Sequence, residues 1–215
     1  MNESSIVEAR ACNSGRRKSL RRSAVRPPPL RLTRSPARQI LKHVGIFCSG
    51  KPDIKQEYID IMSSILCKID TSRVALVYGG GSVGLMGVIR DVYTGKIVSS
   101  NMKAFISPTT PTDDYVFDTI TQRQSKLIEL SDMFIVFPGG FGTVYECLEV
   151  ITKNQIGEHS KKIIIFNYKG LYNHLRDQIS HLHDEGFIKH PLEYYNIIFI
   201  NENQIDILLS HINHV

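Results

Sequence analysis

The chain reads as an α/β protein with one Rossmann-like, doubly wound parallel sheet over residues 43–215, behind a basic leader, 1–42, expected to be disordered. Three observations predict this. From Val44 onward, apolar runs of strand length alternate with stretches of helical periodicity, the pattern of a parallel sheet covered on both faces. Two of the strand-to-helix junctions are glycine-rich turns. The length of 215 residues and the 42% hydrophobic content suit one soluble domain with a substantial core.

The leader is too basic and too poor in apolar periodicity to pack. Its Arg and Ser content is that of an organellar transit peptide, while Arg16-Arg17-Lys18 with Arg21-Arg22 suits a nuclear signal or an anionic tether equally well; a solvated tail is the plain alternative. Strands are expected at 44–48, 74–78, 103–107, 133–137, 162–166 and 197–200. Between the first two, Ile54, Tyr58, Ile61, Met62, Ile65 and Ile69 form one helical stripe, with Pro52 and Asp53 as its start signal. Further helices are expected over 84–95, 115–131, 143–157, 170–185 and 203–212, each after a strand and a short connection.

The net charge of +5 belongs to the leader, because residues 1–42 hold 11 of the 26 Lys and Arg but only Glu3 and Glu8 of the 21 acids. The remaining 15 basic and 19 acidic residues make the body mildly acidic, which argues against a specific nucleic-acid-binding face. Cys12, Cys48, Cys67 and Cys147 have neither CxxC nor metal-ligand spacing, so they read as free thiols of a reducing, cytoplasmic compartment. No apolar run is long enough to span a membrane. His181 and His183 point apart on a helix and no HExxH occurs, so no metal site is expected.

The chemistry concentrates in Pro138-Gly139-Gly140-Phe141-Gly142-Thr143-Val144-Tyr145-Glu146. Gly139, Gly140 and Gly142 are expected to take positive φ and let a ligand approach the backbone, while the helix that follows offers free N–H groups and a positive dipole end to a phosphate. Glu146 has two readings: a catalytic carboxylate facing the ligand, or the last member of a Thr143-x-x-Glu146 capping box. The second cluster, Gly79 to Gly87, lacks a P-loop ending and has no acidic residue after the next strand, where Ser107-Pro108 stands. It therefore fits a small phosphorylated ligand better than NAD or ATP.

Gly79 to Gly87, Pro138 to Glu146 and Leu148-Glu149-Val150-Ile151-Thr152 together resemble the Lonely Guy family of cytokinin riboside 5′-monophosphate phosphoribohydrolases, long mislabelled as lysine decarboxylases. The likeness runs from Phe47-Cys48-Ser49-Gly50 to Glu185-Gly186-Phe187-Ile188. It implies hydrolysis of the N-glycosidic bond of a nucleoside 5′-monophosphate, with no metal or organic cofactor, in a homodimer. By the same resemblance Arg123 and Glu146 are the catalytic pair. Substrate contacts are implied at Gly80, Gly81, Arg123, Gln124, Gly139, Gly140, Phe141, Gly142, Thr143, Val144, Tyr145 and Thr152. Gln124 stands where the family has lysine, and no glutamate occupies the family's base-contacting position. A non-catalytic carrier of a phosphorylated ligand, like the related molybdenum-cofactor carriers, is the alternative. Nothing marks a Schiff-base lysine.

Independently of the resemblance, departure of a base builds positive charge on ribose, which a nearby carboxylate can stabilise, and a guanidinium can hold that carboxylate or a phosphate in place.

Overall fold

The computed structural model describes residues 41–106 and 114–213. The leader, apart from its last two residues, and the prolines at 108 and 111 lie outside them. Seven strands, β1 (Lys42–Phe47), β2 (Val74–Tyr78), β3 (Lys96–Met102), β4 (Tyr115–Phe117), β5 (Met133–Val136), β6 (Lys162–Phe166) and β7 (Ile197–Ile200), form one sheet in the order β4-β3-β2-β1-β5-β6-β7. Every pairing is parallel. The central strands read as unbroken apolar runs because both faces are covered: all of Val74–Tyr78 and all of Met133–Val136 are buried.

Helices α1 (Gln56–Leu66), α2 (Gly84–Val92) and α6 (Ile205–Asn213) cover one face through Met62, Ile65, Leu85, Ile89, Leu208 and Ile212. Helices α3 (Ile120–Leu130), α4 (Phe141–Gln155) and α5 (Asn173–Asp184) cover the other through Leu127, Ile128, Cys147, Val150 and Leu175. Close packing at the centre depends on Gly45, where an added Cβ would stand 2.5 Å from the Phe134 ring. That ring stacks on Phe47 with centroids 5.1 Å apart.

The third strand is not at 103–107. It lies at Lys96–Met102, and Lys103–Phe105 form a 3-10 turn instead. Counting apolar residues misses this strand because three of its four buried positions, beside Val98, are Ser99, Ser100 and Asn101. Their polar groups are paired: Ser99 N–H donates to Asp114 Oδ2 at 2.8 Å, and Ser100 Oγ to the Arg123 carbonyl at 3.3 Å. The helix expected from 115 starts only at Ile120, capped by Thr119, because Tyr115–Phe117 pair with Ser100–Met102 as the edge strand β4. Helix α4 starts at Phe141, two residues before the expected 143.

Strands added after β1 run outward through β2, β3 and β4, and the chain then returns to lay β5 on the other side of β1. The loops leaving β1 and β5 therefore diverge at a topological switch point, where doubly wound sheets open a cleft beyond the strand ends.

Candidate active site

A cleft of about 620 Å³ opens at this switch point. Cys48, Ser49 and Gly50 from the loop after β1 line it, with Gly79, Gly81 and Ser82 after β2 and Gly140, Gly142, Thr143 and Glu146 after β5. Asn101 and Arg123 complete a polar floor, while Met86, Met102, Phe105 and Ile120 make an apolar end. Such a mixture of apolar wall and few convergent polar groups suits a small organic ligand.

Glu146 lies on the buried stripe Thr143, Glu146, Cys147, Val150 of α4. Because Gly140 is the N-cap, Thr143 cannot open a capping box with Glu146. The carboxylate reaches across to α3 instead, where Arg123 Nη1 donates to Glu146 Oε1 at 2.6 Å. Both residues are buried. Arg123 is aimed by a second bond, Nε to the Ser100 carbonyl of β3 at 3.0 Å, and by a gap: a Cβ at Gly79 would stand 2.0 Å from Arg123 Nη2. The first glycine of that loop thus makes room for the guanidinium.

Burial pushes the Glu146 carboxyl above its ordinary value of 4.5, and the Arg123 charge and hydrogen bond pull it back. A buried ion pair is a weak way to stabilise a fold, and one that borders a cleft is a functional candidate.

The two glycine turns differ in what their helices offer. At α2 the Leu85 and Met86 amides donate to the Ser49 carbonyl at 2.9 and 3.3 Å, so that helix end is engaged by the protein. At α4 no side chain caps the first turn. Added Cβ atoms at Gly140 and Gly142 would meet nothing within 4 Å, so the backbone there is open to a ligand. The expectation of positive φ at Gly139, Gly140 and Gly142 is corrected: left-handed glycines occur in the other turn, at Gly80 (φ 80°) and Gly84 (φ 61°). Gly139 is required for a different reason, since a Cβ there would lie 2.1 Å from Thr143 Oγ1.

Of the other sequence-predicted contacts, Gly80 and Gly139 are not among the residues that line the cleft. Gln124 is fully buried and does not line the cleft; its Nε2 makes a long 3.5 Å contact with the Glu146 carbonyl, and its Oε1 has no partner among the described residues. Phe141, Val144, Tyr145 and Thr152 lie on the opposite, outer side of α4 from Glu146, with Phe141 97% exposed and Thr152 Oγ1 bonded to its own helix at Leu148. The cleft in turn contains Asn101, Met102, Phe105 and Ile120, which sequence reasoning missed because a polar strand hides the first two. Among the described residues no group of three His, Cys, Asp or Glu could hold a metal ion, and no helix is long and apolar enough to cross a membrane.

Comparison with known proteins accords with this layout. Residues 72–208 match the family model described as "Possible lysine decarboxylase". The chain is 35% identical over 155 residues to the cytokinin riboside 5′-monophosphate phosphoribohydrolase LOG5 of Arabidopsis thaliana, covering 69% of this chain and 68% of that protein. It is 35% identical over 157 residues to the probable cytokinin riboside 5′-monophosphate phosphoribohydrolase LOGL3 of Oryza sativa subsp. japonica, covering 68% and 73%. In fold it is similar to the molybdenum cofactor carrier protein of Chlamydomonas reinhardtii, with a TM-score of 0.57 at 15% identity over 80% of this chain and 96% of that one. The molybdenum cofactor binding protein of Rippkaea orientalis gives a TM-score of 0.54 at 15% identity, with the same coverage. At such identity these two speak for the fold alone. The family model and the two phosphoribohydrolases, by contrast, overlap both glycine turns and the Arg123–Glu146 pair, and on them the chain belongs to the Lonely Guy family.

Proposed function

We propose that residues 43–215 form a nucleotide-hydrolysing domain that cleaves the N-glycosidic bond of a cytokinin or adenine-type nucleoside 5′-monophosphate, releasing free base and ribose 5-phosphate. The observation that carries this reading is the buried Arg123–Glu146 pair, 2.6 Å apart, on the floor of a cleft whose rim is the uncapped first turn of α4. The α4 amides at Gly140–Thr143 donate to the 5′-phosphate, and the helix dipole favours its negative charge. The ribose then lies over the Glu146 carboxylate, which stabilises the positive charge that grows as the base departs and orients the attacking water. Arg123 keeps that carboxylate ionised and fixed despite its burial. Water and these two side chains suffice, without metal or organic cofactor. Met86, Met102, Phe105 and Ile120 supply apolar surface for the base. The curated relatives carry the phosphoribohydrolase name, whereas the molybdenum-cofactor proteins share only the fold, so the carrier reading has the weaker support.

The reading extends to a homodimer, for which the exposed apolar face of α4 at Phe141, Tyr145, Leu148 and Ile156 offers a contact surface. It extends also to the cytoplasm, a compartment suited to the free thiols of Cys48, Cys67 and Cys147. Chromatography of AMP and N6-isopentenyladenosine monophosphate incubated with the purified chain tests the activity. Release of base from at least one is expected; folded protein that releases base from neither refutes the proposed reaction.

A further inference from the structure

The turn that presents the α4 first turn has no regular sheet pairing beyond Val136 and contains Pro138, which donates no hydrogen bond. Two backbone bonds tie it to the β1 side, Phe137 N–H to the Phe47 carbonyl at 2.8 Å and Ser49 N–H to the Pro138 carbonyl at 3.1 Å. On the α5 side the tie is a side chain. Tyr172 Oη donates to the Phe137 carbonyl at 2.9 Å, and the Gly139 N–H is directed at the Tyr172 hydroxyl oxygen itself. Tyr172 is only 4% exposed, and its ring packs in the core beneath α4.

The segment delivering Tyr172 is itself tightly constrained. Lys169 (φ 52°) and Gly170 (φ 71°) are successive left-handed residues, and a Cβ at Gly170 would meet the Asn173 side chain at 2.6 Å. Asn167 then accepts from Tyr172 N–H and donates to Asn173 Oδ1, each at 2.7 Å, while its own N–H bonds the Ile200 carbonyl. Strained backbone and a closed hydrogen-bond ring at one loop are more than the packing of a single tyrosine ring needs.

We infer that Tyr172 is a positioning residue: its hydroxyl fixes the Phe137–Gly140 turn so that the α4 amides converge on the substrate's phosphate. It touches no reacting atom. This inference rests on the reading of the α4 N-terminus as the phosphate site, and it assigns phosphate selectivity in part to a residue outside the cleft.

The test is Tyr172→Phe in the full chain, which keeps the ring and removes only the hydroxyl. Calorimetry with AMP should show affinity lowered about 5- to 10-fold, the scale of one lost hydrogen bond, with adenosine affinity changed less than about twofold. Equal losses for AMP and adenosine, or no loss for either, overturn the inference. Backbone amide exchange without ligand is the second readout, and faster exchange confined to residues 139–142 is expected. Exchange there equal to that of the unmodified chain overturns the positioning role on its own, whereas failure of the unmodified chain to bind AMP overturns the phosphate reading beneath it.

Discussion

At residue 146 two effects pull in opposite directions, and the balance is measurable. Burial raises the carboxyl from its ordinary 4.5, while Arg123 lowers it. Because the folded value lies above the unfolded one, this group favours the fold at low pH, and that contribution is lost as pH rises through the raised value. Activity has the opposite dependence, since the carboxylate form does the work. The acid limb of kcat/KM is therefore expected above pH 4.5, and Arg123→Gln should move it higher still. A limb at or below 4.5 contradicts the upward shift that burial imposes on Glu146. Replacing Glu146 with Gln should lower turnover by about 10²- to 10⁴-fold while AMP remains bound, as is usual for loss of a positioned acid–base group. Gly79→Ala tests the space reserved for the guanidinium: a kcat/KM loss on the order of 100-fold with near-native circular dichroism is expected from a misplaced catalytic group. The place of Glu146 on the cleft was legible in its motif. The room that Gly79 leaves for the guanidinium was not, because Arg123 comes from α3 and only the folded sheet brings the two together.

Helix α4 carries the central trade-off at the level of elements. Gly142 lies in its first turn with an ordinary negative φ and open space where a Cβ would go. Gly142→Ala should raise stability by about 0.5–1 kcal/mol, as alanine for glycine does in a helix, and yet weaken AMP binding by obstructing the backbone. Thermal unfolding and calorimetry on the same variant check both halves; unchanged AMP affinity would remove the anion site from this turn. The helix order and five of the seven strand positions were legible because apolar periodicity follows from packing on two faces. Strand β3 was displaced because its buried Ser99, Ser100 and Asn101 serve Asp114 and the Arg123 segment, and β4 was hidden because three residues become a strand only through pairing with β3. Gln124, read as a ligand contact, faces the interior because its neighbour Arg123 takes the cleft side of α3.

For the molecule as a whole, the sheet order places both glycine turns and both charged residues at one edge, so the site is a consequence of topology. Its rigidity depends on the centre of the sheet: Gly45→Ala should destabilise the fold by about 1–3 kcal/mol through overpacking against Phe134, measured by urea unfolding. Sedimentation should give twice the chain mass, and the pair Leu148→Asp with Ile156→Asp should give a monomer; a monomeric unmodified chain removes the dimer proposal. The most direct measurement is a crystal structure of the Glu146→Gln chain with AMP. The phosphate is expected within hydrogen-bond distance of the backbone amides at 140–143, with the anomeric carbon facing residue 146. A phosphate bound elsewhere, or a ribose turned away from the Arg123 side of the cleft, contradicts the proposed chemistry.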